Sequence, residues 1–193
     1  MATRELILHD LSDSDSLDCL PDPKIGLTIF PALPKVNLCQ GCFGCWVKTP
    51  GRCVIKDRGS DFAPLLAKHD LVTVISRLVF GGFSGPVKAI IDRSIGFILP
   101  FFEYRNGRMF HVRRYPESPS FRYFFYGRNF GPNLETAKKL AQANKQNFMS
   151  PCCSVDCFAT LAELKLALTK EPKLPGLEPP ADWPGPRPSL PGA

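Results

Sequence analysis

Four cysteines lie close together in the sequence CQGCFGCWVKTPGRC, which begins at Cys39. Cys42 and Cys45 follow at three-residue intervals, and seven residues separate Cys45 from Cys53. Thiolates at this spacing can surround one small metal centre. The first three have the spacing of a ferredoxin-type loop, with the fourth displaced from the ferredoxin position, which favours an iron-sulfur cluster. Two alternatives stay open: zinc, although structural zinc generally uses two separated cysteine pairs, and reduced cysteines that pack without a metal.

Glycines and basic residues around these cysteines fit a metal loop. Gly41 and Gly44 allow the backbone to turn tightly, and Pro50-Gly51 suits a type II turn that brings Cys53 back. Three cations are available to offset the charge of four thiolates: Lys48, Arg52 and Lys56. The other four cysteines match no ligand pattern and are predicted to pack as small apolar side chains. They are Cys19, Cys152, Cys153 and Cys157.

Alternating strand and helix patterns must position this loop. Apolar patterns predict five strands: Glu5–His9, Gly26–Phe30, Leu71–Ser76, Arg122–Tyr126 and Cys153–Phe158. Residues at helical spacing predict three helices: Ser60–His69, Gly85–Ile98 and Asn133–Phe148. Strands that alternate with helices form a parallel sheet covered on both faces. The sequence thus predicts an α/β, flavodoxin-like three-layer sandwich with a five-stranded parallel sheet of order 2-1-3-4-5, whose ligands bind at the carboxyl ends of the strands.

Two segments fall outside this alternation. Asn106-Gly107, within Tyr104–Val112, predicts an inserted β-hairpin, and its aromatic flanks predict a contact between the subunits of a homodimer or homotetramer. Proline makes up eight of the 23 residues from Glu171 to Ala193, which predicts a flexible Pro-rich tail. The predicted organisation is one flavodoxin-like domain over residues 1–170, followed by the tail over residues 171–193.

Composition excludes several classes of protein. A chain of 193 residues with 44% hydrophobic and 22% charged residues is suited to one core. Charged residues interrupt the apolar run of the first ten positions, and no later stretch approaches the roughly 20 apolar residues of a membrane helix. We therefore expect a cytoplasmic protein without a membrane partner, whose eight cysteines stay reduced. The arginines from Arg105 to Arg128 accompany no nucleic-acid-binding motif, so we expect no nucleic acid. We predict a solvated face or a subunit contact there, with attraction of a phosphorylated cofactor as the second alternative.

Two segments carry a resemblance to a known family. The cysteine loop and the stretch SRLVFGGFSGPVKAIIDR, from Ser76 to Arg93, resemble those of the flavodoxin-like NAD(P)H-dependent FMN reductases, and of the iron-sulfur flavoproteins among them. The resemblance implies FMN as cofactor and NAD(P)H as cosubstrate. For the four cysteines it implies a [4Fe-4S] cluster or, as in many relatives, a cysteine-rich loop that holds none.

The resemblance also implies the flavin contacts. In the family, the loop after the third strand wraps the flavin ring, and the matching positions are Arg77, Leu78, Val79, Phe80, Gly81 and Gly82. Glycines allow backbone amides to approach the edge of the ring, and apolar side chains exclude water from it. The second flavin-side loop corresponds to Tyr126, Gly127 and Arg128. Lys88, Asp92 and Arg93, at the end of the stretch, are predicted to form helix-surface and subunit contacts without a chemical role.

The loop after the first strand departs from the family. Relatives have a Gly-Ser-Pro-Arg-like loop that binds the flavin phosphate at a helix N-terminus. Here Ser12 and Ser14 can donate hydrogen bonds, but Asp10, Asp13 and Asp15 bring carboxylates toward a dianion. Like charges about 4 Å apart repel by about 1 kcal/mol in water and about 4 kcal/mol near a protein surface. We therefore expect FMN to bind more weakly than in relatives, with little advantage over riboflavin.

The predicted function is that of an FMN-dependent NAD(P)H oxidoreductase or electron-transfer flavoprotein, which passes electrons to a small-molecule or protein acceptor. No side chain is predicted to be catalytic, because the flavin supplies the chemistry. The three histidines are isolated in the sequence and indicate no hydrolytic triad. The alternative is a metal-thiolate-binding or regulatory protein on a flavodoxin-like scaffold without flavin.

Overall fold

The computed structural model describes residues 3–105, 107–128 and 130–170. This part of the chain contains seven strands: β1 (Glu5–His9), β2 (Leu27–Pro31), β3 (Leu71–Arg77), β4 (Ile98–Arg105), β5 (Arg108–Arg113), β6 (Ser120–Tyr126) and β7 (Cys153–Phe158). Five of them form a parallel sheet in the order β2-β1-β3-β6-β7, and β4 and β5 form a separate antiparallel pair. With the pair left out, the order is 2-1-3-4-5, so the predicted flavodoxin-like α/β fold is confirmed.

Strands β3 and β6 are buried on both faces of the sheet. Each is buried at its first six positions, as expected for the middle of a parallel sheet covered by helices. Successive residues of β1 point to opposite sides, because side chains alternate along a strand. Leu6 and Leu8 join the larger hydrophobic core, whereas Ile7 joins a smaller one that includes Leu11 and Leu164.

Six α-helices connect the strands in the described residues: α1 (Asp13–Cys19), α2 (Gly44–Val47), α3 (Phe62–Leu66), α4 (Gly85–Asp92), α5 (Asn133–Asn147) and α6 (Leu161–Thr169). Short 3-10 helices span Arg58–Asp61 and Ile95–Phe97. Three of the helices, α1, α2 and α6, were not predicted from periodicity, and two of these three have a side-chain cap. The Ser12 hydroxyl caps α1, and α6 begins with a capping box in which Thr160 and Glu163 bond each other's backbone N–H groups.

One predicted helix is wrong at its carboxyl end. The pattern over Gly85–Ile98 indicated a single helix, but α4 ends at Asp92 and Ile98 is the first residue of β4. The cause is local, since Ser94 donates both its N–H and its hydroxyl to the Ile91 carbonyl oxygen. That three-residue spacing is typical of a 3-10 turn and ends the α-helix.

The predicted hairpin is present and longer than expected. Its paired residues include Phe102 with His111 and Tyr104 with Met109. Asn106 of the predicted turn and the predicted tail, residues 171–193, lie outside the described residues. Within the described part of the chain, no helix is both long enough and apolar enough to cross a membrane.

One arginine of the basic region is buried inside the sheet. Arg122 is 6% exposed and donates from Nη2 to Glu5 Oε1 over 2.7 Å and from Nε to the Thr73 hydroxyl over 3.1 Å. Its guanidinium also lies 5.0 Å from the centre of the Phe124 ring. The prediction of a solvated face or a subunit contact is therefore wrong for Arg122, because its charge is paired across three strands.

Candidate functional site

The carboxyl ends of β1, β3 and β6 are joined through one buried carboxylate. Both Asp10 oxygens accept from the Arg77 backbone N–H, over 3.1 and 3.2 Å. Asp10 also lies near the Tyr126 hydroxyl, and burial, followed by the charge of Asp10, raises the pKa of Tyr126. This carboxylate lies at the switch point between β1 and β3, where ligands bind in doubly wound sheets.

The loop after β3 forms a tight turn at this edge. Val79 and Gly82 exchange two backbone hydrogen bonds, of 3.0 and 2.9 Å. Phe80, at the tip, has a positive φ of 49°, and its side chain is 90% exposed. The Ser84 N–H donates to the Ser76 hydroxyl over 2.9 Å and closes the base of the loop. The turn is therefore held at both ends while its aromatic tip faces outward.

Gly81 is required at its position for two reasons. Its φ is +79°, which side chains rarely adopt, and an added Cβ would lie 2.5 Å from the Thr136 Cβ in α5. Within the described residues, the N–H groups of Phe80 and Gly81 have no hydrogen-bond acceptor. Two free amides beside an exposed aromatic ring fit the polar edge of a planar heteroaromatic ligand such as a flavin ring.

The loop after β1 does not fit a phosphate in the same way. Ser12 donates its hydroxyl to Asp15 Oδ2 over 2.7 Å and accepts from the Asp15 N–H. The Ser14 hydroxyl lies 3.1 Å from that of Ser12. The predicted phosphate donors therefore bond within their own loop, and Asp13 and Asp15 occupy the first turn of α1. Asp10, by contrast, does not face this loop, because both of its oxygens are turned toward Arg77.

The remaining predicted flavin contacts lie along the same edge. Leu78 is half-buried against the large core and its N–H donates to the Tyr126 carbonyl oxygen over 3.0 Å. Gly127 has a φ of +141° and donates to the Phe158 carbonyl oxygen. The side chains of Arg77 and Arg128 are exposed. The structure thus brings the loops after β3 and β6 together. Contact of any of these residues with flavin stays a prediction.

The four cysteines of the loop line one cavity of about 120 Å³. Cys45 is buried, Cys53 is half-buried, and Cys39 and Cys42 are exposed. Burial, followed by the charges of Cys53, Cys39 and Cys42, raises the pKa of the Cys45 thiol, so the four sulfur atoms interact. Over residues 3–105, 107–128 and 130–170, however, no group of three or more His, Cys, Asp or Glu side chains is arranged to hold a metal ion.

Backbone turns produce this arrangement. Gly41 and Gly51 have φ values of +63° and +83°, in agreement with the turns predicted around them. Phe43, between two of the cysteines, has a φ of +53°, which is strained for an aromatic residue. Its ring stacks on Trp46 at 5.0 Å, and Trp46 donates to the Ile98 carbonyl oxygen over 2.8 Å. This anchor holds the loop against the start of β4.

Arg93 lies at the same cavity, and its predicted position on a helix surface is wrong. Its side chain is 0% exposed, and its Nε donates to Cys53 Sγ over 3.4 Å. Lys88 and Asp92, by contrast, form an exposed ion pair on the surface of α4, as predicted. Periodicity could not separate these residues, because α4 ends at Asp92 and Arg93 turns into the interior at its C-cap. Arg52, which was predicted to offset the charge of the thiolates, instead pairs with Asp61.

The cysteine loop is followed by a cation whose charge acts on the end of β1. Arg58 follows it, donates to the Pro34 carbonyl oxygen and lies near His9, the last residue of β1. Burial, opposed by Asp10 and assisted by the charge of Arg58, lowers the pKa of His9 to about 4. His9 is therefore neutral at pH 7.

No protein-family model and no curated protein sequence matches the chain. Among solved structures, it is similar to an FMN-dependent NADH-azoreductase from Bacillus anthracis str. Ames Ancestor in complex with FMN, with 10% identity, 85% of this chain and 93% of that chain covered, and a TM-score of 0.48. It is also similar to an NADPH-quinone reductase from P. pentosaceus, with 13% identity, coverage of 87% and 95%, and a TM-score of 0.45. The flavodoxin-like architecture follows from the strand order β2-β1-β3-β6-β7.

Proposed function

We propose that this chain is a flavin-dependent oxidoreductase that uses NAD(P)H and accepts FMN as its flavin. The observation that carries the proposal is the turn at Phe80 and Gly81, whose two N–H groups lack an acceptor in the described part of the chain. This turn lies after β3, next to the three strand ends joined by Asp10. In doubly wound sheets this crevice is where ligands bind.

Each predicted residue has a distinct role in the proposal. The amides of Phe80 and Gly81 donate to the polar edge of the ring, and Leu78 and Val79 exclude water from it. Asp10 keeps the loops after β3 and β6 at a fixed separation through Arg77 and Tyr126. The chemistry that a bound flavin supplies is acceptance of a hydride from a nicotinamide and release of its electrons to an acceptor, one or two at a time.

We further propose that the cysteine loop binds a metal-thiolate centre. Four cysteines that interact electrostatically around one cavity are a suitable donor set for zinc or an iron-sulfur cluster. We favour a [4Fe-4S] cluster over zinc because Cys39, Cys42 and Cys45 have the spacing of a ferredoxin-type loop.

The flavin site predicts an unusual selectivity. Because Ser12 and Ser14 bond within their own loop and Asp15 lies at the start of α1, the phosphate of FMN gains little there. We expect riboflavin and FMN to bind the apoprotein with dissociation constants that agree within about tenfold, or about 1.4 kcal/mol. Quenching of flavin fluorescence measures both constants, and oxidation of NADH or NADPH with ferricyanide as acceptor then tests catalysis.

Two outcomes of this titration contradict parts of the account. A preference for FMN of a hundredfold or more would show that groups outside the loop after β1 bind the phosphate. Binding of neither flavin would remove the proposed oxidoreductase function. It would leave the metal-thiolate protein on a flavodoxin-like scaffold in its place.

We also propose that the chain forms a homodimer or homotetramer through the β4–β5 hairpin. Four large apolar side chains of this hairpin are each at least 60% exposed. They are Phe101, Phe102, Tyr104 and Met109. A two-stranded hairpin cannot bury such a surface by itself, whereas a second subunit can. Light scattering at micromolar concentration is expected to give a mass of at least twice 21.4 kDa, and a monomeric mass would contradict the proposal.

A further inference from the structure

Arg93 is a buried cation in the wall of the cysteine cavity. It lines the cavity together with the four cysteines, and its side chain is 0% exposed. Burying a guanidinium is unfavourable unless nearby groups satisfy its charge and its hydrogen bonds. The identity of those groups therefore indicates what the side chain does.

The guanidinium contacts residues that lie before and after the cysteine loop, and Cys53 itself. Its Nε donates to Cys53 Sγ over 3.4 Å, and its Nη2 donates to the Ile55 carbonyl oxygen over 2.9 Å. Its Nη1 donates to the Asn37 carbonyl oxygen over 3.2 Å and to Asp57 Oδ1 over 2.5 Å. One side chain thus holds the segments before and after the cysteine loop at fixed positions relative to Cys53.

Asp57, which pairs with Arg93, is itself held in place by other donors. The Asp57 carboxylate also accepts from the Asn37 backbone N–H and side-chain amide, each over 3.0 Å, and from the Gly59 N–H over 2.9 Å. Gly59 leaves room for the guanidinium, because an added Cβ at this residue would lie 2.8 Å from Arg93 Nη1. The surroundings therefore accommodate the guanidinium and direct its Nε toward the sulfur.

We propose that Arg93 is a positioning residue for the metal-thiolate centre, which fixes the sulfur of Cys53 and offsets part of the thiolate charge from a buried position. This inference rests on the metal centre proposed above. Cysteine ligands bind metals as thiolates, so four of them concentrate negative charge at the cavity. Groups that hydrogen-bond metal ligands commonly change metal affinity by about 10–100-fold when they are replaced.

The test compares variants of the full chain reconstituted anaerobically with iron and sulfide or with zinc. The readout is the concentration of EDTA that removes half of the bound metal. We expect that concentration to fall by about 100-fold in Arg93→Met, which loses both charge and hydrogen bonds, and by about tenfold in Arg93→Lys, which keeps the charge but not the planar fork. If Arg93→Met does not fold, the Lys variant decides alone.

Arg122→Met is the matched control, because Arg122 is also buried and paired with a carboxylate, Glu5. We expect it to lower the melting temperature without changing metal retention. Wild-type retention in Arg93→Lys and in any folded Arg93→Met, or an equal loss in Arg122→Met, overturns the role of Arg93 and leaves the metal centre intact. A wild-type chain that retains neither iron nor zinc overturns the metal centre and this inference together.

Discussion

Replacing Cys42 with serine is expected to remove the bound metal entirely. A serine hydroxyl is not a thiolate at neutral pH, and a four-thiolate centre binds its ligands together rather than one at a time. Cys42 is exposed at the cavity, so the substitution leaves the hydrophobic core unchanged. Iron, sulfide and zinc are measured in anaerobically purified wild type and variant.

The control for this experiment is Cys157→Ser. Cys157 is half-buried in β7 and does not line the cysteine cavity. We expect this variant to keep the wild-type metal content. The ligand assignment is wrong if Cys42→Ser keeps its metal, or if wild type contains neither iron nor zinc.

Replacing Gly81 with alanine is expected to abolish flavin binding and to destabilise the fold. An L-residue in this left-handed conformation costs about 1–2 kcal/mol. The collision with Thr136 adds about 1–3 kcal/mol, because an added methyl in a packed contact forces the backbone to shift. The shift displaces the two amides proposed to bind the ring.

Gly107→Ala separates the two effects. Gly107 has a similar φ, +76°, but an added Cβ would have nothing within 4 Å. Denaturant unfolding is expected to show the conformational cost alone in Gly107→Ala, with unchanged flavin affinity. If Gly81→Ala binds flavin as wild type does, the turn after β3 is not the ring site.

The sequence predicted most of the sheet, because apolar runs such as that of β3 are long and are bounded by loops. It predicted less of the helices. The polar helix α1 and the short helix α2 depend on caps and on tertiary contacts, and neither produces an apolar stripe along the sequence. The hairpin was found through its Asn-Gly pair, although its length was underestimated.

The sequence predicted the turns at the glycines and the grouping of the four cysteines, but it did not predict where the charged side chains lie. Periodicity assigns residues to faces of a helix, but it gives no information on a residue that follows the last turn, as Arg93 does. Asp10 was expected to repel a phosphate. In the structure it instead accepts from the Arg77 backbone N–H and lies near Tyr126, two residues of strands that are distant in sequence.

The most direct test of the proposed function is the absorption spectrum of the anaerobically purified full chain before and after addition of NADH or NADPH. The account predicts a structured yellow flavin absorption that either nicotinamide bleaches, above a broad brown absorption that remains if a cluster is present. A protein that shows no flavin absorption, even after incubation with FMN or riboflavin, would contradict it.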